Sequence, residues 1–250
     1  MTPIKSELIP HVVSTLKKTL AGGLIAAAFT VAQAQAGTIT IDFEDPVFTD
    51  VGFFLAGDSV NLGQFNLLVD SPDGGMPGLP VNGSDPTACA GMGCPVNNSS
   101  NYFAGVNNAW MFLSYNSGSV RMQSLDFSFL APYAGVINGV VGRLLVLALD
   151  NQGNIAGLTS REFAPQVNGQ WMFTDWSGIG ADFGNKFYSN YAITACLYTT
   201  DNNCTLNANN QGQFAVDNIN FDVPAPATLG LISFSLLGLA ASRRRTNANK

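Results

Sequence analysis

The sequence predicts an all-β domain, an antiparallel β-sandwich of jelly-roll-like form, flanked by an N-terminal signal helix and a C-terminal hydrophobic helix. Three observations predict this class. Many short segments of the 250-residue chain alternate apolar and polar residues, which is the period of a strand with one buried face. Turns rich in Gly and Asn separate these segments, and no long stretch between them has helical period. The sequence has no internal repeat, which disfavours a β-propeller.

The strands follow one another through the body of the chain. Their predicted positions are 38–43, 64–69, 109–115, 124–129, 143–150, 155 onward, 170–176, 192–198 and 213–221. In the fourth of them Leu125, Phe127 and Phe129 share one face, as residues of a half-buried strand do. Residues 151–154 form a turn that predicts a hairpin. Residues 71–101 are dense in Gly, Pro, Asn and Ser, and we expect an irregular loop there.

The N-terminus has the composition of a secretory signal peptide. Lys17 and Lys18 precede an uncharged apolar run at 20–32, and small residues follow at Ala34 and Ala36. A positive region, a short apolar stretch and an A-x-A site together predict export and cleavage. We expect cleavage after Ala36, with Ala34 as the second choice. Residues 1–36 are then removed, and the mature chain begins at Gly37.

The C-terminus, residues 223–250, predicts a short membrane helix. A Pro-rich break precedes an apolar stretch that three arginines close. A helix over 226–242 would be about 25 Å long, slightly short of a hydrocarbon core of about 30 Å. Arginines at its end stay on the cytoplasmic side, so the body of the chain lies on the exported side.

These C-terminal residues carry a family resemblance. The parts of the pattern, in order, are Val223, Pro224, Ala225, Pro226, Ala227 and Thr228, an apolar stretch, and Arg243, Arg244 and Arg245. This order resembles the PEP-CTERM sorting signal. The resemblance implies processing by an exosortase-type enzyme in Gram-negative bacteria that make exopolysaccharide. Ala225 stands where that signal usually has a glutamate. Upstream, Gln213, Phe214 and Asp217 match the Q-F-x-x-D pattern of a PEP-CTERM subfamily.

The body between these ends, residues 37–222, is acidic. It contains four basic residues and sixteen acidic ones. An acidic surface poor in lysine repels polyanions, which argues against nucleic acid and anionic lipid as partners. The body is also too rich in aromatic and aliphatic residues to be wholly disordered, and it is long enough for one domain.

The four cysteines all lie in this body, at Cys89, Cys94, Cys196 and Cys204. Export makes disulfides plausible, and four cysteines allow three connectivities. Proximity in sequence favours the pairs Cys89–Cys94 and Cys196–Cys204. The spacing does not match a zinc site, which usually includes C-x-x-C.

Catalysis has few candidate residues in the mature chain. The only histidine, His11, lies in the signal peptide, so the body has none for a Ser-His-Asp or Cys-His arrangement. Two glutamates, Glu44 and Glu162, are available for a two-carboxylate glycosidase, but neither lies in a recognisable motif. We therefore expect a protein that is not an enzyme and keep the glycosidase as an alternative.

Two kinds of binding site can be suggested. Terminal strands of jelly rolls often pair, so Glu44 and Asp217 could meet at one structural calcium ion. The residues around them resemble those of carbohydrate-binding-like sandwiches, which is a fold-level analogy. Surface aromatic residues could instead stack on sugars, and the candidates are Trp110, Trp171, Trp176, Tyr102, Tyr115, Tyr188 and Tyr191. Trp176 lies beside a Gly-containing loop and is the best candidate for an exposed ring.

The leading prediction is an exported protein of the cell surface or extracellular matrix, linked to exopolysaccharide and biofilm. The tail would first hold it in the inner membrane, and it could later be released to the matrix. The alternatives are a carbohydrate-binding module with a structural calcium, and a glycosidase.

Overall fold

A computed structural model of the chain describes residues 37–85, 88–89, 92–131, 139–198, 203–206 and 212–224. The predicted signal helix and the predicted hydrophobic helix therefore lie outside the described residues. So do Ala225 to Thr228 and the three arginines of the sorting signal. Within the described residues no helix is long and apolar enough to cross a membrane.

The described chain forms strands and two one-turn helices. The strands are β1 (Gly37–Ile41), β2 (Asp58–Leu62), β3 (Phe65–Asp70), β4 (Gly78–Asn82), β5 (Asn101–Gly105), β6 (Trp110–Tyr115), β7 (Arg121–Phe129), β8 (Gly142–Leu149), β9 (Ile155–Glu162), β10 (Thr174–Ser177), β11 (Asn190–Tyr198), β12 (Cys204–Thr205) and β13 (Phe214–Val223). The helices are α1 (Pro46–Thr49) and α2 (Ile179–Asp182). Helix α1 begins after Asp45, whose carboxylate accepts a hydrogen bond from the backbone N–H of Val47 at 2.9 Å.

These strands build two antiparallel sheets. The first has the order β10-β7-β13-β5-β4, and β1 pairs with the second half of β13. The second has the order β2-β3-β6-β11-β8-β9, and β12 pairs with the end of β11. The antiparallel β-sandwich is thereby confirmed, and its jelly-roll-like form stays a prediction. The first and last strands pair, as expected, with Gly37 opposite Val223.

One hydrophobic core lies between the sheets. Phe221 of the first sheet packs against Phe65 and Tyr191 of the second, with ring centroids 4.6 and 5.7 Å apart. All three side chains are buried. Leu125, Phe127 and Phe129 also point into this core, as their alternation predicts. Burial of large aromatic side chains together with aliphatic ones therefore stabilises the sandwich.

The predicted irregular loop at 71–101 is wrong in part. It contains β4, which pairs along its whole length with β5. The sequence pattern did not predict β4 because it contains Pro80. Proline lacks the backbone N–H that a central strand needs, so its presence argues against a strand. An edge strand tolerates it, and β4 is the last strand of its sheet.

Both predicted disulfides are confirmed. Cys89 is bonded to Cys94, and Cys196 is bonded to Cys204. The second bridge ties the short β12 to β11. Disulfides persist in oxidising compartments, which agrees with an exported protein.

Candidate functional site

The outer face of the second sheet exposes an aromatic pair on β6. Met111 and Leu113 of this strand are fully buried in the core. Because side chains alternate along a strand, Trp110, Phe112 and Ser114 lie on the opposite face. All three are partly exposed. The two rings are nearly parallel, with an interplanar angle of 15° and centroids 6.0 Å apart.

Neighbouring strand β3 completes this surface. Leu68 is the register partner of Phe112, and Asp70 is the register partner of Trp110. A shallow groove of about 320 Å³ is lined by Asp70, Ser71, Pro72, Trp110 and Phe112. We call these five residues together with Leu68 the aromatic shelf.

Hydrogen-bonding side chains border the aromatic shelf. Asn66, Ser114 and Asn190 lie in one row across β3, β6 and β11, and each is partly exposed. Asn66 also donates to the side-chain oxygen of Asn61 at 3.3 Å. Amide and hydroxyl groups therefore lie next to the rings, on the side of Phe112.

Asp70 is the charged group of the aromatic shelf. Its side chain is exposed, and its Oδ1 accepts a hydrogen bond from the backbone N–H of Ser71 at 2.8 Å. Among the described residues Oδ2 has no hydrogen-bond partner. Ser71 itself is held in place because its hydroxyl donates a hydrogen bond to the backbone carbonyl of Asn107 at 2.5 Å. One carboxylate oxygen of Asp70 is thus available to a ligand.

The expectation that Trp176 is exposed is wrong. Only 3% of this residue is accessible, and its ring packs 5.7 Å from that of Phe127 in the core. Trp176 lies opposite Leu125 in the pairing of β10 with β7, so it shares the inward face of that residue. Trp171 is likewise buried, edge-on to Phe129 at 4.9 Å.

The tyrosines suggested as sugar contacts are mostly core residues too. Tyr102 and Tyr191 are at most 1% exposed, and Tyr115 is 8% exposed. Burial raises the pKa of Tyr191 to about 12. Tyr188 is partly exposed and packs edge-on against Phe183. Trp110 is therefore the one described tryptophan with an accessible ring.

The structure does not bring the two glutamates together. Glu44 follows β1 of the first sheet and accepts hydrogen bonds from the backbone and side-chain N–H groups of Asn101, both at 2.6 Å. Glu162 ends β9, an edge strand of the second sheet, and accepts from the Tyr198 hydroxyl at 2.7 Å. That hydrogen bond, with one from Arg143, lowers the pKa of Glu162. A glycosidase acid needs the opposite shift, and its two carboxylates flank one bond.

Asp217 is a fully buried carboxylate at the centre of the first sheet. Its Oδ2 accepts from the Ser100 hydroxyl at 2.7 Å and from the Asn98 side-chain amide at 2.8 Å. Its Oδ1 accepts from the backbone N–H of Asn218 at 2.7 Å. Burial raises the pKa of Asp217, and these hydrogen bonds oppose that shift. The carboxylate thereby attaches the segment before β5 to β13.

The predicted calcium ligands both accept hydrogen bonds from one chain segment, residues 98–101. Asp217 contacts residues 98 and 100, and Glu44 contacts residue 101. Their oxygens accept from N–H and O–H donors, which a cation would have to displace. In the part of the chain that the structure describes, no cluster of three acidic, His or Cys side chains could hold a metal. A structural calcium stays a prediction.

The Q-F-x-x-D residues lie at the start of β13. Phe214 is buried between the sheets against Phe103, with centroids 6.0 Å apart. Asp217 lies three residues on and therefore on the other face of the strand. Gln213 immediately precedes the strand and is 6% exposed. The spacing of this motif thus places Phe214 on the inner face of the first sheet and Asp217 on its outer face, and both side chains are buried.

A larger hollow of about 420 Å³ lies beside the Cys89–Cys94 disulfide. Its walls are mostly loop residues, 82–85, 92–98, 166 and 169–171, together with Tyr102 of β5. The two aromatic residues in these walls, Tyr102 and Trp171, are 0% and 2% exposed. Its described lining therefore offers side-chain amides, backbone groups, the Ser84 hydroxyl and the Asp85 carboxylate, but no accessible ring.

No family of known proteins and no curated protein matches the sequence of the chain. Among solved structures, the chain is similar to a DUF4465 family protein from Bacteroides caccae at 10% identity, over 74% of this chain and 98% of that one, with a TM-score of 0.46. It is also similar to a family 29 carbohydrate-binding module at 11% identity, over 75% of this chain and 89% of that one, with a TM-score of 0.31. An α-L-arabinofuranosidase matches at 14% identity and a TM-score of 0.34, over 26% of its own length.

Proposed function

We propose that this chain is an exported β-sandwich protein that binds polysaccharide through the aromatic shelf. One observation carries the proposal: Trp110 and Phe112 are nearly parallel, partly exposed rings on a rigid strand, while Trp171 and Trp176 are buried. A pair of aromatic rings that is partly exposed leaves apolar surface in contact with water, and a partner that covers the rings removes this unfavourable contact.

The chemistry of a sugar fits this surface. A pyranose ring has an apolar face of C–H groups, which packs on the electron-rich face of an aromatic ring. Its hydroxyls lie at the edge of the ring and need hydrogen-bonding partners. Asn66, Ser114 and Asn190 border the rings on one side, and Asp70 borders them on the other. Ligand sites commonly combine an apolar surface with a few polar groups in this way.

Sorting by a PEP-CTERM-like tail is the second part of the proposal. A signal peptide ending at Ala36 would export the chain, and an exosortase-type enzyme would then act near residues 223–228. The two disulfides support residence in an oxidising compartment. The protein would reach the cell envelope or the extracellular matrix, where exopolysaccharide is its expected ligand.

Retention on polysaccharide tests the binding part. The exported protein is run by affinity electrophoresis through gels that contain neutral, amino or acidic polysaccharides. Trp110→Ala is expected to weaken binding about tenfold, which corresponds to the loss of one good aromatic contact. Phe187→Ala is the matched control, because Phe187 is 38% exposed and its ring contacts Arg121 of the first sheet. Equal retention of Trp110→Ala and the wild type would refute binding at the aromatic shelf.

The intact mass of the protein from the envelope and medium of its host tests the sorting part. A chain that begins at Gly37 and ends within 223–228 supports both processing steps. A chain that keeps Arg243 to Arg245 would instead make the tail a lasting anchor. If no polysaccharide retains the protein, a structural matrix protein without a sugar site becomes the better interpretation.

A further inference from the structure

The charged residue of the aromatic shelf is acidic, and a second carboxylate lies on the adjoining turn. Asp70 lines the groove with Trp110, and Asp73 lies three residues further along the same turn. The backbone N–H of Asp73 donates to the Ser71 hydroxyl at 3.1 Å, which keeps this turn against the groove. None of the described groove residues is Lys or Arg.

The basic residues of the described domain lie elsewhere. Arg121 is paired with Asp222 on the first sheet at 2.7 Å. Arg143 is paired with Glu162 at 3.3 Å on β8 and β9, and Arg161 also lies on β9. Strand β11 separates β8 from β6, so the backbones of β8 and β6 are about 10 Å apart. The guanidinium of Arg143 is held by Glu162 on β9 and lies over the ring of Tyr198 at the end of β11, so it does not line the groove. Lys186 follows α2 and does not line the groove. Asp70 is therefore the one charged group among the described residues that line the groove.

We infer that Asp70 determines which polysaccharide the shelf accepts, favouring sugars with a free amino group and disfavouring sugars with carboxylate or sulfate groups. This inference rests on the proposed function. Asp70 is the register partner of Trp110, so a ring stacked on Trp110 has its substituents beside this carboxylate. The Oδ2 atom without a partner accepts from an ammonium group and repels an anionic one.

The size of the effect follows from the exposure of Asp70. An attraction between two unit charges about 4 Å apart in a water-like dielectric makes binding roughly fivefold tighter than binding of a neutral ligand. The gain is larger where the ligand excludes water. The preference should shrink as salt is raised, because an exposed pair is screened. Stacking on Trp110 is unaffected by salt, so the two contributions can be separated.

The experiment compares a chitosan hexamer, in a buffer acidic enough to protonate its amines, with its fully N-acetylated counterpart, because the two share rings and linkages and differ in the acetyl groups that remove the positive charge. Isothermal titration of the exported protein is expected to give about fivefold to tenfold tighter binding of the chitosan hexamer at low salt. Asp70→Asn should lose this preference, because its affinity for the chitosan hexamer should fall by the same factor while its affinity for the neutral hexamer stays that of the wild type. The asparagine keeps an oxygen for the Ser71 N–H, so the turn should remain folded, which thermal unfolding checks. Asp175→Asn, an exposed carboxylate on β10 of the other sheet, is the matched control.

A preference for the chitosan hexamer that survives in Asp70→Asn would overturn the inference. Tighter binding of an oligogalacturonate than of either hexamer would overturn it as well. If the wild type binds neutral sugars through Trp110 without any preference for charge, the inference fails and the proposed function stands. If no sugar of any class binds, the proposed function itself fails.

Discussion

Replacing Gly105 with alanine tests how closely side chains pack on the inner face of the first sheet, because Gly105 is the register partner of Phe214 on the neighbouring strand β13. Gly78 and Gly105 are register partners in β4 and β5, and each has a phenylalanine ring over its Cα. A Cβ on Gly105 would lie 2.6 Å from two ring atoms of Phe214, whereas carbon atoms in contact are about 3.5–4.0 Å apart. Phe214 is fully buried against Phe103, so the ring has to move by about 1 Å into an occupied core.

The magnitude follows from two opposing effects. Overpacking of this kind costs about 1–3 kcal/mol. Loss of glycine entropy in the unfolded chain returns about 0.4–1 kcal/mol. The Gly105→Ala variant should therefore lose about 1–2 kcal/mol of unfolding free energy, which lowers the melting temperature of a domain of this size by roughly 2–8 °C.

The assay is thermal and urea unfolding followed by circular dichroism. Gly37→Ala is the control, because a Cβ there meets no atom within 4 Å. In a double-mutant cycle, Phe214→Leu should remove most of the cost of Gly105→Ala, since the clashing ring is gone. Unchanged stability of Gly105→Ala, or an equal loss in both backgrounds, would refute the packing argument.

Three further predictions concern stability. Trp176→Ala should cost about 3–5 kcal/mol in urea unfolding, because the residue is buried, whereas Trp110→Ala should cost much less; similar losses would contradict their different burial. Burial raises the pKa of Asp217, so the folded chain holds this proton more tightly than the unfolded chain does. Its contribution to stability is then largest below the ordinary Asp pKa of about 3.9 and falls as the pH rises towards the raised value. Asp217→Asn should flatten that part of the curve of unfolding free energy against pH, and an unchanged curve would mean that the carboxylate is not buried. Replacing both Cys196 and Cys204 with serine should cost about 2–3 kcal/mol, measured against the wild type under non-reducing conditions; equal stability would show that the bridge closes no loop of the unfolded chain.

Much of the fold could be predicted because alternation along a strand is local information. The pattern of Leu125, Phe127 and Phe129 reports their shared face without reference to any other strand. The disulfides are also local, since the paired cysteines are 5 and 8 residues apart. Strand β4 escaped prediction because Pro80 is tolerated only at an edge, and edge position depends on the whole sheet.

The composition and order of residues were sufficient for nine of the thirteen described strands, for the disulfide pairs and for the absence of histidine from residues 37–250. Strands β2, β4, β5 and β12 were not predicted. They could not decide which aromatic rings face solvent. Trp110 and Trp176 both lie on strands. The residues next to each of them in the sequence do not show which face of the strand is buried. The opposite sheet covers the face that carries Trp176, while the face that carries Trp110 is outside the sandwich. Burial is a property of what packs on a face, and for this chain the partners come from strands far apart in sequence.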